Sequence, residues 1–257
     1  MKRFIIVLMC LGFAFTSAEA NDGTFTWGVS GHPFTAYPGA TYQQQIALIK
    51  KLGASSYRVN ISSILDIPRL HALIAQANAQ NIKILPALTP SISLDKESTA
   101  RIHQAARDFA MAIVSEGKAD ISVWELSNEL ENYAIIKPCE IQDDGKQYNC
   151  NWGPAGGTGL LDYYAPRWEK VSAYLRGLSE GVKAADPLAE RAIGTAGWGH
   201  TAAFERLQAD HIEWEISVWH MYGQDPEWAF KIISKVGKPI WVTEFNHPLG
   251  SSEGEMT

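Results

Sequence analysis

Two glutamates in this chain stand where carboxylates could act as a pair. Glu129 lies in WELSNELEN (124–132) and Glu244 in IWVTEFN (240–246), each after a short apolar run that is typical of a buried strand. A charged group at the end of such a strand is costly unless it is paired or used. The two residues are 115 positions apart, so only the fold could bring them together. Paired carboxylates across a cleft can cleave a glycosidic bond, one as the acid and the other as the nucleophile.

Polar residues stand at the ends of other predicted strands and could line the same cleft. They are Arg58 and Asn60 after the second apolar run, Asn128 after the fourth, His220 and Tyr222 after the sixth, and His32 after the first. Each also has a structural interpretation. Arg58 could be an ion-pair partner, because a buried arginine needs a carboxylate in any case. His220 and Tyr222 could be satisfied core groups, and His32 a solvated loop residue.

Glu125 and Glu131 are alternative acids in the same stretch as Glu129. Strand alternation places Glu125 on the same side as Glu129, so periodicity does not exclude it. The position of Glu129 at the end of the run favours it as the acid. The acid needs burial or a neighbouring negative charge to hold its proton, whereas the nucleophile needs hydrogen-bond donors and a nearby cation.

Nine tryptophans are many for a chain of 257 residues. Sugars stack on exposed aromatic rings, and Trp152, Trp198 and Trp228 fall in or near predicted loops. We expect Trp152 and Trp198 to contact substrate. Trp124, Trp219 and Trp241 are expected to fill the barrel or its helix interface.

The elements that must position these residues alternate between apolar runs and segments of helical period. Strands are predicted at 25–31, 55–61, 82–88, 121–126, 191–197, 216–222 and 239–245, and helices at 41–53, 67–81, 98–117, 163–186, 201–210 and 226–237. Continuous apolar strands between helices predict a parallel sheet covered by helices. A doubly wound sheet would usually carry a glycine-rich phosphate turn after its first strand, and GVSGHPF offers none.

We therefore predict a (β/α)₈ TIM barrel, an α/β fold whose sites lie at the carboxyl ends of the strands. The chain ends thirteen residues after Glu244, which leaves no room for a seventh helix and an eighth strand. The barrel is thus expected to be truncated after its seventh strand, with poor folding and little activity as the consequence. A seven-stranded barrel is the alternative, although a gap between the first and last strands would expose two edges.

The first twenty residues form a predicted signal peptide, with Lys2 and Arg3 before an apolar run and a small-residue exit at Ala20. An anchoring helix and a lipoprotein signal at Cys10 are the alternatives. Residues 21–257 are predicted to be one catalytic barrel domain, secreted or periplasmic. Cleavage removes two positive charges and one negative charge, so the formal charge changes from −6 to −7, which disfavours nucleic acid as a partner.

Cys139 and Cys150 remain after cleavage and flank a short polar loop, CEIQDDGKQYNC. In an oxidising compartment such a pair favours a disulfide, with two free thiols as the alternative. No other histidine or cysteine stands in metal-ligand spacing with them, so we expect no zinc site.

The motifs WELSNELEN, SVWHMYG and IWVTEFN resemble the fourth, sixth and seventh strand motifs of the clan of retaining glycoside hydrolases built on (β/α)₈ barrels. The resemblance spans about Trp27 to Asn246 and is nearest to family 39-like and family 5-like members. In those families the acid motif often reads W-N-E-P, and Ser127 and Leu130 depart from it here. The roles that it implies are general acid/base for Glu129, nucleophile for Glu244, a sugar 2-hydroxyl contact for Asn128, a hydrogen bond to the nucleophile for Tyr222, and orientation of that carboxylate for His220 and Arg58.

The sequence therefore predicts a retaining glycosidase for a β-linked poly- or oligosaccharide, with no cofactor and no metal. It is expected to be a monomer without a membrane partner after signal cleavage. A transglycosylase with the same covalent intermediate is one alternative. A non-catalytic carbohydrate-binding relative is another, although loss of one carboxylate would be its sign and both are present.

Overall fold

Seven parallel strands form one sheet in the computed structural model, which describes residues 25–223 and 225–246. The predicted signal peptide and its cleavage site lie outside these residues. The strands are β1 (Gly28–Gly31), β2 (Ser56–Ile61), β3 (Lys83–Leu88), β4 (Val123–Leu126), β5 (Glu190–Thr195), β6 (Ile216–Tyr222) and β7 (Ile240–Asn246). Each strand pairs with the next along the chain in the order β1 to β7.

Helices connect the strands and cover the outside of the sheet. They are α1 (Tyr42–Lys51), α2 (Ile67–Asn78), α3 (Thr99–Gly117), α4 (Ala165–Ala185), α5 (Ala202–Ala209) and α6 (Glu227–Ile233). Thr41 begins α1 with a reciprocal capping box to Gln44, and the Ser98 hydroxyl caps α3. Such caps satisfy backbone N–H groups that have no partner within the helix. The predicted alternation of strand and helix is confirmed for all seven strands and six helices.

The fold is a nearly closed TIM barrel, as the sequence predicted. Its core is a single large cluster of apolar side chains between the sheet and the helices, with a smaller cluster on β5 and β6. Trp124 and Trp219 are buried there, in agreement with the prediction. Trp228 is the second residue of α6, within the predicted helix, and packs edge-to-face on Trp219, with ring centroids 6.3 Å apart.

Two predictions are wrong at the seam, the gap between the first strand β1 and the last strand β7. β1 starts at Gly28 rather than 25, and Trp27 before it is half exposed. Trp241 on β7 is 39% exposed, so its predicted place inside the barrel or under a helix is wrong. The described residues contain no eighth strand, and within them no ladder joins β7 to β1. A ring contact between Trp27 and Phe245, 5.6 Å apart, bridges the seam.

The loop after β4 contains the predicted disulfide between Cys139 and Cys150. Two arginines from neighbouring helices hold this loop. Arg167 of α4 pairs with Glu140, and Arg206 of α5 pairs with Asp143 at 2.6 Å. Within the part of the chain that the structure describes, no helix has both the length and the apolarity required to cross a lipid bilayer.

Candidate active site

Arg58 lies at the centre of the polar cluster inside the mouth of the barrel. Its Nε and one terminal nitrogen donate to the two oxygens of Glu125, at 2.7 and 2.6 Å. The same nitrogen, Nη2, donates to Asn128 Oδ1 at 2.7 Å, and Nη1 donates to Glu244 Oε1 at 2.5 Å. Arg58 is only 3% exposed, so this buried cation is matched by two carboxylates. It thereby connects strands β2, β4 and β7.

Glu125 is the inner carboxylate of this cluster and not a free acid. Its side chain is 2% exposed on β4 and forms the bidentate pair with Arg58. Burial alone would raise the pKa of Glu125, but the hydrogen bonds and charge of Arg58 outweigh burial and hold that pKa below its usual range. A group ionised in this way accepts protons poorly and gives none, so Glu125 acts as the counter-ion of Arg58.

Glu129 is aimed into the mouth by an unusual backbone turn directly after β4. Ser127 and Glu129 both have positive φ, at 74° and 48°, in the left-handed region that non-glycine residues rarely occupy. Such conformations store strain and cluster at functional sites. A short 3₁₀ turn, Leu130–Ala134, follows directly.

Glu244 lies opposite Glu129, at the carboxyl end of β7. Its Oε1 accepts from Arg58, and its Oε2 accepts from the Tyr222 hydroxyl at 2.6 Å. Burial and this hydrogen bond raise the pKa of Tyr222, so the hydroxyl remains a donor. A bulge between Trp219 and His220 shifts the register of β6 against β7, and it places His220 beside Glu244. Both oxygens of Glu244 therefore have donors.

His220 lies between the two carboxylates. Its Nδ1 is 2.8 Å from Glu129 Oε1 and 3.6 Å from Glu244 Oε2, and its Nε2 is 3.2 Å from the Thr243 hydroxyl. Burial alone would lower the pKa of His220, but contacts with Glu125 and Glu129 and the charge of Glu244 raise it to about 9. At neutral pH the ring is therefore an imidazolium.

The electrostatics of Glu129 differ from the sequence-based expectation. We expected burial or a negative neighbour to help the acid hold its proton. Instead the hydrogen bond from His220 lowers the pKa of Glu129, and partial burial does not offset it. Glu129 is thus a carboxylate paired with an imidazolium.

Glu129, His220 and Glu244 also form a group that could hold a metal ion, since one ligand atom of each lies within 4.8 Å of the others. Their present contacts compete with that use. Arg58 donates to one oxygen of Glu244 and Tyr222 donates to the other. The proton on His220 Nδ1 is directed at Glu129. The absence of a metal requirement stays a prediction.

Three predicted substrate contacts lie apart from this cluster. Trp152, in the loop closed by the disulfide, is 61% exposed and packs edge-to-face on Tyr148. Trp198, in the turn between β5 and α5, is 63% exposed, with φ at 54°. His32 is exposed in the turn after β1. Among the described residues, none of the three forms a hydrogen bond, ion pair or ring contact with Glu129 or Glu244.

Sequence reasoning did not anticipate the surroundings of two polar residues, Glu131 and Asn60. Glu131, considered only as an alternative acid, is buried and 2.8 Å from the His200 ring. Nothing in the sequence marked His200. Asn60 follows Arg58 on the same side of β2, and its Oδ1 is buried without a hydrogen-bond partner among the described residues. A buried orphan acceptor of this kind is uncommon in native proteins.

Comparisons with known proteins support the fold. No family model and no curated protein sequence matches the chain. The catalytic domain of a GH53 protein from Ignisphaera aggregans superposes with a TM-score of 0.54 and 16% identity, covering 81% of this chain and 62% of that one. The chain thus spans less than two thirds of the length of that domain.

Two further solved structures cover more of their own length. A psychrophilic family 10 endo-β-1,4-xylanase has a TM-score of 0.58 and 13% identity, over 90% of this chain and 77% of that one. A β-glucosidase from Thermotoga maritima has a TM-score of 0.59 and 14% identity, over 86% and 77%. At these identities the similarities establish the barrel fold and leave the chemistry to be argued from the site.

Proposed function

We propose that this protein is a retaining glycoside hydrolase that cleaves a β-linked carbohydrate through a covalent glycosyl-enzyme intermediate. The observation that carries the proposal is the arrangement of Glu129 and Glu244 across the mouth of the barrel. One oxygen of each lies within 4.8 Å of the other and of the His220 ring. Retaining enzymes place their two carboxyl groups about 5 to 5.5 Å apart, closer than the roughly 6.5 to 9.5 Å of inverting enzymes, and the short distance between the nearest oxygens here favours the closer arrangement.

The contacts of the two carboxylates support different roles. Glu244 accepts from Arg58 and Tyr222, which hold its oxygens in a fixed orientation for attack on the anomeric carbon. Glu129 is 28% exposed in its side chain and has His220 as its partner, so it can reach the leaving oxygen and exchange a proton. We assign Glu244 as the nucleophile and Glu129 as the acid/base.

The reaction then proceeds in two displacements. In the first, a Glu244 oxygen bonds to the anomeric carbon while the glycosidic C–O bond breaks and Glu129 protonates the departing oxygen. In the second, Glu129 takes a proton from water, whose oxygen attacks the anomeric carbon and releases Glu244. Arg58 holds Asn128 by its Oδ1, which leaves the amide nitrogen of Asn128 to donate to the sugar 2-hydroxyl.

Residues farther from the scissile bond would bind other sugar units. Trp152 and Trp198 expose indole faces on loops of the carboxyl side, and we assign them as stacking surfaces. His32 is assigned as a polar contact on the same side. The disulfide supports export to an oxidising compartment, secreted or periplasmic.

The test is chemical rescue of Glu244→Ala. Removal of the nucleophile should abolish turnover of an activated β-glycoside, and azide should restore it with an α-glycosyl azide as the product. The matched control is Glu116→Gln, which removes an exposed carboxylate from α3. Unchanged turnover by Glu244→Ala would overturn the assignment.

A further inference from the structure

A second buried acid–imidazole pair lies behind the proposed acid/base residue. Glu131 is 2% exposed and His200 is 6% exposed, and among the described residues neither side chain hydrogen-bonds to Glu129, Glu244 or Arg58. Glu131 Oε1 accepts from the Ala196 backbone N–H at 2.6 Å and lies 2.8 Å from His200 Nδ1. Because a carboxylate only accepts, Nδ1 carries the hydrogen in this contact.

Burial of this pair costs free energy that an apolar pair would not. A buried carboxylate loses its hydration, and two hydrogen bonds to one oxygen replace only part of it. The other oxygen of Glu131 is buried and has no hydrogen-bond partner in the described chain. Apolar residues could pack these loops together at lower cost. What the polar pair adds is direction, since its hydrogen bonds hold the two loops at one distance and angle.

The pair joins the loops that surround the proposed acid. Glu131 lies in the 3₁₀ turn Leu130–Ala134, which starts directly after Glu129. Ala196 and His200 lie in the turn between β5 and α5, which carries Trp198. A third segment packs closely against the pair at Gly157. A Cβ added there would lie only 2.5 Å from the His200 ring.

We propose that Glu131 and His200 are positioning residues, which hold the Glu129 carboxylate at the leaving-group oxygen by tying its turn to the β5–α5 turn. This inference rests on the proposed glycosidase function and adds the residues that orient its acid. Glu129 has left-handed backbone at the start of the 3₁₀ turn, and its own side chain makes no capping hydrogen bond there. The anchor at Glu131 therefore helps to hold this turn. A displacement of about 1 Å in a catalytic group can cost about 100-fold in rate.

A misplaced acid slows the cleavage of substrates with poor leaving groups more than that of substrates with good ones. A general loss of structure slows both alike. A poor leaving group needs protonation as it departs, whereas a dinitrophenolate departs without it. Misplaced Glu129 therefore slows cleavage of an alkyl β-glycoside and spares a 2,4-dinitrophenyl β-glycoside of the same sugar.

The experiment compares kcat/KM for these two substrates in the wild type, Glu131→Gln, His200→Ala and His200→Gln. We expect Glu131→Gln and His200→Ala to lose about 10- to 100-fold on the alkyl glycoside and less than about threefold on the activated one. His200→Gln, which retains a donor for Glu131, should recover part of the loss. Glu116→Gln, on the exposed face of α3, is the control, and thermal melts establish that each variant folds.

The outcomes separate the two proposals. Equal losses on both substrates, or none on either, would overturn the positioning role while leaving the glycosidase assignment intact. A wild-type enzyme that cleaves neither substrate across gluco, galacto, xylo and manno configurations would overturn the proposed function, and the inference with it. If the Glu131 variant does not fold, the comparison of His200→Ala with His200→Gln decides the result.

Discussion

At the scale of single residues, each of the three carboxylates of the site accepts from different cationic nitrogens. Glu125 takes the bidentate contact of Arg58, Glu244 takes its remaining nitrogen, and Glu129 takes His220. The imidazolium is thus the main determinant of the protonation of Glu129. Because its hydrogen bond lowers the pKa of Glu129, the acid holds its proton only in the acidic range.

As the pH rises, Glu129 loses its proton, and we expect kcat/KM to start falling before the pH reaches 7. His220→Asn removes the largest cause of the lowered pKa, so the pKa of Glu129 rises and activity persists to higher pH. The measurement is the pH dependence of kcat/KM on a substrate with a poor leaving group. His103→Asn, on the surface of α3, is the control. A descending limb that stays in place, or moves to lower pH, would contradict this account.

Arg58 should contribute to stability as well as to orientation. Arg58→Met leaves Glu125 buried without its cation, and breaking a buried pair in this way costs about 3 to 5 kcal/mol. The matched control is Lys231→Met, because Lys231 pairs with Glu227 on the exposed face of α6 and should cost less than about 1 kcal/mol. Denaturant unfolding measures both, and equal losses would show that the buried pair is unimportant.

At the scale of elements, the turn after β5 determines how closely the neighbouring strand ends approach the site. Gly197 has φ at 78°, and a Cβ there would lie 1.9 Å from the His220 carbonyl oxygen. Only glycine permits this contact between the turn and β6. The β5–α5 turn therefore packs directly on the strand that carries His220 and Tyr222.

Gly197→Ala should be far more destabilising than a glycine replacement in open space. Gly39 also has positive φ, at 85°, but a Cβ there meets nothing within 4 Å. Gly39→Ala should cost about 1 to 2 kcal/mol from backbone strain alone. Gly197→Ala adds a backbone clash and should shift the turn, with loss of activity. Thermal unfolding and kcat/KM of the two variants check this, and equal effects would mean that the turn yields easily.

At the scale of the whole molecule, the strand order was predictable because apolar runs alternate with amphipathic helices along the entire chain. Glu129, Glu244, Arg58, Asn128, His220 and Tyr222 could be grouped because parallel strands present their carboxyl ends at one edge. The pairing of Glu131 with His200 was not predictable, since loop geometry decides it. Trp241 was misjudged because an apolar strand residue does not reveal whether a neighbour covers it.

The central claim is that Glu244 forms a covalent bond to sugar, and trapping that bond tests it most directly. Incubation with 2-deoxy-2-fluoro-β-glycosyl fluorides of several sugar configurations should slow release of the intermediate, because fluorine destabilises the oxocarbenium-like transition state. Mass spectrometry of the digested protein should then show one peptide, containing Glu244, with the mass of one fluorosugar added. A label on another residue, or hydrolysis of a β-glycoside with inverted product and no label, would contradict the account.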